Sequence, residues 1–195
     1  MAIVRSKSKQ NIIDHAFVHF VQNGYEGASL NAIAEAVGIR KASLYTHFKS
    51  KEALFLELLD DALAIEMAFL TDCFSAALDR ELPGECYLQQ CKARYETSIT
   101  SQFLTRMAYV PPVHLVKTVS HAYQAFIAHL SQLLQIEMAK KVQNVADQTL
   151  YCDAYLGILD SLSAELLYEG TCYDRRLTAL LTLYKNSLSV SLKTS

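Results

Sequence analysis

The chain has 195 residues, 51% of them hydrophobic, with only three prolines and six glycines. That composition supports a substantial core and long helices, and no useful stretch alternates strictly between apolar and polar residues, so an all-α protein is expected. Net charge is −2, unevenly spread: residues 1–52 hold seven Lys/Arg against four Asp/Glu, and residues 53–195 hold eleven against sixteen.

The basic surplus therefore lies in the first quarter of the chain, where a polyanion would approach. Five cysteines (Cys73, Cys86, Cys91, Cys152, Cys172) lack C-x-x-C spacing, which argues for reduced thiols in a cytoplasmic protein and against a disulfide framework. The opening residues MAIVRSKSKQ have no apolar core of signal-peptide length. The longest run free of Asp, Glu, Lys and Arg, 118–136, contains His121, Gln124 and His129, so it reads as a buried amphipathic helix and no membrane span is expected.

Residues 1–8, with Arg5 and Lys7, show no period and are expected to form a mobile basic arm. Over 9–22, Ile13, Ala16, Phe17, Phe20 and Val21 trace one apolar face, and Asn23-Gly24 stops that helix. His15 and His19 stand one turn apart on it and read as an exposed polar face, not a metal site.

The stretch 29–52, SLNAIAEAVGIRKASLYTHFKSKE, organises everything else. Leu30, Ile33 and Val37 recur at helical spacing, with Ser29 able to cap the helix and Gly38 to end it in a left-handed conformation. Over 41–48 a second helix turns Leu44 and Phe48 inward and Lys41, Ser43, Thr46 and His47 outward. Ser50 then caps a third. This is a helix-turn-helix, whose second helix enters the major groove of DNA. Asn31 faces outward, within reach of a base or phosphate. Arg40 and Lys41 lie at the start of the recognition helix, where base edges are nearest, and Ala42 can meet a thymine methyl.

The order Ile33-Ala34, Gly38, Leu44-Tyr45, His47-Phe48, Lys49, Lys51-Glu52 resembles the N-terminal domain of TetR-type transcriptional regulators. The resemblance covers residues 10–55 and is architectural beyond them. It implies that Tyr45 and Lys51 hold phosphates, and that His47 is a phosphate neighbour or a structural contact. It also implies two domains: a three-helix DNA-binding domain over 1–50, and a larger helical ligand-binding and dimerisation domain over 51–195. The partners it implies are a pseudo-palindromic double-stranded operator, a second copy bound through the two C-terminal helices, and a small hydrophobic or amphipathic effector that releases a repressor.

The rest of the chain reads as long helices. One runs 51–78, through Leu54, Leu58, Ala62, Ile65, Phe69, Cys73 and Ala76, and is long enough to act as a lever. Pro83-Gly84 breaks it from a helix over 85–108, and Pro111-Pro112 breaks that from one over 119–142. A helix over 144–168 carries the small residues Ala154, Gly157, Ser161 and Ala164, and Glu169-Gly170 stops it. Thr171 to Asp174 resembles a capping box. The last helix carries Leu177, Leu181, Tyr184, Leu188 and Leu192, widened by Leu180 and Leu183, and Leu181 and Leu188 are expected in the subunit interface.

Tyr95, Phe103, Met107, Phe126 and Tyr155 are the candidate apolar lining of an effector site, with His114, His121 and Gln124 its polar groups. No nucleophile elbow, phosphate loop, dinucleotide fingerprint or metal-ligand spacing occurs, so no catalytic residue, cofactor or metal is expected. Two rival readings stay open: a helical carrier or enzyme with a vestigial helix-turn-helix, and a regulator that answers to a protein partner.

Overall fold

The structure, a computed structural model, describes residues 5–75, 82–168 and 170–194, with side chains up to residue 189. Among the described residues every regular element is a helix. The chain forms two compact units, Met1–Glu66 with Ser98–Tyr123, and Met67–Thr97 with Gln124–Ser195. The division falls inside the lever helix, at Glu66, and not at its start.

The first unit begins with α1, Lys7–Gly27, capped by Ser6, whose Oγ accepts from Lys9 N. The expected mobile arm is pinned at its end. Arg5 donates to both carboxylate oxygens of Asp61 at 2.6 and 2.7 Å and to Glu57 at 2.9 Å. Asp61 is 4% exposed, and a carboxylate that buried needs a fixed cation, which a guanidinium supplies in two-pronged geometry. α1 runs past the expected stop, with Gly24 kinking it at φ 68°.

Helices α2 (Leu30–Val37) and α3 (Lys41–His47) follow, and α4 spans Lys51–Ser75. Residues Ala76 and Leu78 of the expected lever lie outside the described residues. The helix expected over 85–108 is two: α5, Glu85–Thr97, and α6, Ile99–Tyr109. Ser98 breaks it with φ −117° and ψ 115°, and its Oγ accepts from Ser101 N as an N-cap. Serine favours a cap over a helix interior, because its hydroxyl competes for backbone groups. Glu66, 5% exposed, holds the break by accepting from Ser98 Oγ at 3.2 Å and Thr100 Oγ1 at 2.6 Å. A single 3-10 turn, Val113–Leu115, then leads into α7, Val116–Ala139.

The first unit's core is an aromatic cluster. Phe103 of α6 meets Phe17 edge-on at 5.2 Å, Phe55 at 5.4 Å and Phe20 at 6.3 Å between ring centres. Phe55 meets Phe20 at 5.5 Å and Tyr25 at 5.1 Å. These rings fix α1 against α4 and α6 and leave α2 and α3 on the outside of the cluster.

In the second unit α5 packs on α8 (Val145–Leu167) and α9 (Tyr173–Thr194). Asn144 caps α8 through Ala146 N. At its far end Glu169 lies outside the described residues. The capping box expected at Thr171 gives way to a longer-range contact: Glu165 of α8 accepts from Cys172 N and pairs with Arg176. The core holds tyrosines whose hydroxyls meet main-chain oxygens: Tyr155 donates to Gly84 at 2.9 Å and Tyr184 to Tyr151 at 2.7 Å. Burial pushes both phenols up, so they remain protonated donors. Leu181 and Leu188, expected at a subunit interface, are instead 8% and 3% exposed inside their own unit. They share the face of Tyr184, which turns inward to reach Tyr151. The Leu192 side chain lies outside the described residues.

Candidate nucleic-acid interface

Ser29 ends the extended segment before α2, and its Oγ accepts from Ala32 N at 3.1 Å. Gly38 takes φ 78° and ψ 28°, and its N–H returns to α2's last carbonyls. A Cβ there would meet nothing within 4 Å, so backbone geometry alone calls for glycine. The turn delivers Arg40 in extended conformation at the head of α3.

Leu44 and Phe48, 0% and 2% exposed, anchor α3 and force its other residues outward. Arg40, Lys41, Ala42, Ser43, Tyr45 and Thr46 are all exposed. Lys41 Nζ lies 5.8 Å from the centre of the Tyr45 ring, so the cation and the phenol share one face. Thr46 Oγ1 donates to Ser43 O at 2.7 Å, which leaves its oxygen only as an acceptor for anything outside. Ser50 caps α4 by accepting from Ala53 N.

These segments meet in a cleft lined by Ser29, Leu30, Asn31, Lys41, Tyr45, Lys49, Ser50 and Lys51, with Ala28 at its edge. Three lysines line it, and no carboxylate does. The N-termini of α2 and α4 both open there, adding the partial positive charge of two helix ends. A phosphate diester finds in it charge, hydroxyl donors and an amide side chain, with nothing to repel it.

The expected DNA-binding residues thus fall into two groups. Asn31, Lys41, Tyr45 and Lys51 line the cleft; Arg40, Ser43 and Thr46 occupy the open face of α3 beside it. His47 is half-buried, with Nε2 3.4 Å from Ser8 Oγ of α1. Lys49, Ser29 and Ser50 were not among the expected site residues, yet all three line the cleft. The signal was present in the run Lys49-Ser50-Lys51, in which the resemblance implies a phosphate role for Lys51 alone, with Lys49 a motif position and Ser50 a helix cap. Lys51 is the most constrained: its Nζ donates to Tyr25 O at 2.8 Å and Ala28 O at 3.2 Å, and lies 4.2 Å from the Tyr25 ring centre.

The candidate effector residues distribute over both units. Phe103 and Met107, 0% and 1% exposed, are packed in the first unit's core. His114 and His121 are exposed there, with His114 Nε2 3.3 Å from Tyr25 OH. In the second unit Tyr95 is half-buried on α5, Phe126 is 5% exposed on α7, and Tyr155 is 0% exposed. Among the described residues no helix is long and apolar enough to cross a membrane, and no group of three or more His, Cys, Asp or Glu could hold a metal ion.

A family profile for bacterial regulatory proteins of the tetR family matches residues 12–58. The chain carries a TetR-family domain. Its helices α1 to α3 and the start of α4 are the matched segment. The biofilm operon icaADBC HTH-type negative transcriptional regulator IcaR of Staphylococcus aureus is 49% identical over 47 residues. That match covers 24% of this chain and 25% of IcaR's length. The IcaR of Staphylococcus epidermidis is 37% identical over 62 residues, covering 32% of this chain and 34% of that one. Over nearly the whole chain, the fatty acid degradation regulator FadR from Bacillus halodurans superposes with a TM-score of 0.73 at 20% identity, covering 95% of this chain and 96% of that one. A putative tetR family transcription regulator from Shewanella sp. PV-4 gives 0.62 at 20% identity, covering 93% and 97%. At that identity the likeness extends the shared all-α fold beyond the TetR-family domain, and nothing more.

Proposed function

We propose that the protein is a DNA-binding transcriptional regulator, a repressor that binds a pseudo-palindromic operator as a homodimer and lets go when a small hydrophobic or amphipathic molecule binds. The observation that carries this reading is the cleft of Lys41, Lys49 and Lys51, free of carboxylates, beside the exposed face of α3. Phosphate contacts at the cleft set the register, and Arg40, Lys41 and Ser43 read base edges. The names of the staphylococcal relatives, negative regulators, support repression over activation.

The dimer forms through α8 and α9. Ala146, Leu150, Ala154 and Gly157 make an exposed stripe along α8, with Leu150 62% exposed, and Leu183 of α9 is 68% exposed. A Cβ at Gly157 would meet nothing within 4 Å in its own chain, so the small residue there serves a close approach from outside. Effector binding draws on residues such as Tyr95 and Phe126, and works by population shift: α4, continuous from the DNA-facing unit into the second, has two positions with different affinity for the operator.

The test is purified protein on duplex fragments of its own upstream region, with and without cell extract. Retarded migration at one fragment, relieved by extract, is the expected result. No preference among fragments, or binding indifferent to Arg40→Ala and Lys41→Ala, overturns the reading.

A further inference from the structure

Lys51 faces the cleft, but its ammonium is held from behind. Two of its three N–H groups go to main-chain oxygens, Tyr25 O at 2.8 Å and Ala28 O at 3.2 Å. Its charge rests 4.2 Å from the centre of the Tyr25 ring. Tyr25 in turn is wedged: its ring meets Phe55 at 5.1 Å and the His114 ring at 5.0 Å. The Tyr25 hydroxyl lies 3.3 Å from His114 Nε2. His114 also reaches α4, with Nε2 3.9 Å from a Glu52 carboxylate oxygen. It stands in the 3-10 turn between α6 and α7, and Leu115 beside it is 5% exposed and anchors that turn.

So one side chain from the α6–α7 connection touches Tyr25, whose carbonyl and ring hold the Lys51 ammonium, and Glu52, the next residue along α4. From this geometry we infer that Tyr25 and His114 are positioning residues for the Lys51 phosphate contact, and that the 113–115 turn sets where that ammonium stands. The inference rests on the DNA-binding reading and adds to it a definite relay within the first unit. Burial pushes the Tyr25 phenol up, with Glu52 and Glu26 adding to it, so the hydroxyl stays protonated within hydrogen-bond reach of His114 Nε2. Any movement of α6 that withdraws the turn removes a wall from the Tyr25 ring and a contact from Glu52. The ammonium then keeps its charge and loses its fixed place, and a displaced charge makes a weaker ion pair with phosphate.

The test is a double-mutant cycle between His114 and Lys51, read on full-length protein with a 40-base-pair duplex of mixed sequence over a salt series. His114→Ala is chosen because the side chain is 49% exposed, so the variant is expected to fold, and helical circular dichroism checks it. His114→Ala lowers affinity and flattens the salt dependence by no more than about 0.9 for each bound subunit, the worth of one phosphate contact. His114→Gln, which can still meet the Tyr25 hydroxyl, restores most of the loss. In a Lys51→Gln background, which removes the charge and keeps a donor, His114→Ala has no further effect. Losses that simply add, or a salt slope unmoved by His114→Ala, overturn the relay while leaving DNA binding intact. Wild-type protein that does not bind the duplex at all overturns the DNA-binding reading and the relay with it.

Discussion

Lys51 serves the fold as well as the cleft, and its substitutions separate the two. Lys51→Ala leaves the oxygens of Tyr25 and Ala28 without their ammonium donor, and is expected to cost about 1–3 kcal/mol in chemical denaturation. Lys51→Gln should recover part of that stability and none of the phosphate contact. Equal stability of the two variants would mean that the carbonyl contacts contribute nothing. Gly84 offers a second test at this scale. It takes φ 73°, and a Cβ there would lie 2.5 Å from the Tyr155 ring. Gly84→Ala combines backbone strain with a clash in a packed core and should cost about 3 kcal/mol or more. Gly38→Ala, strained but unobstructed, should cost about 1 kcal/mol. Thermal melts that rank the two the other way would contradict the local packing. The thiols give a chemical check: burial, then neighbouring Cys86, push Cys73 up to about 12, so it is a poor nucleophile at neutral pH. Half-buried Cys91 and Cys172 should take up iodoacetamide first, and mass spectrometry showing early labelling of Cys73 would contradict its burial.

Among the elements, α8 and α9 invite the sharpest test. Gly157 is exposed and a Cβ there would meet nothing within 4 Å, so with Gly157→Leu the subunit should stay folded while a close helix–helix approach is blocked. Sedimentation should then show monomer with helical content retained, and an intact dimer would put the interface elsewhere. This part of the protein also marks the limit of what the sequence discloses. Periodicity finds α9 and its apolar stripe, but does not say whether that stripe faces a sister subunit or its own core. Tyr184 decides it by turning inward to Tyr151, carrying Leu181 and Leu188 with it. The helix-turn-helix was legible down to its caps, Ser29 and Gly38, because local spacing and backbone chemistry fix it within one short segment. The break at Ser98 was not, because the partner that stabilises it, Glu66, lies far away in sequence. Phe103 looked like effector lining for the same reason: nothing local ties it to Phe17, Phe20 and Phe55.

At the scale of the molecule, α4 starts beside the cleft at Lys51, and its described residues run on to Ser75 in the second unit. If effector and operator compete through it, reciprocity requires that each weaken the other's binding by the same factor. The central claim, however, is that the cleft of Lys41, Lys49 and Lys51 takes DNA phosphates, and one measurement reaches it most directly. Affinity for duplex DNA should be followed against salt for wild-type protein and for Lys49→Ala, since Lys49 is exposed and lines the cleft. The account predicts a steep fall in wild-type affinity with salt, and a slope lower by about 0.9 for each phosphate contact the variant loses, with no change in sequence preference. A slope identical in the two proteins would contradict it.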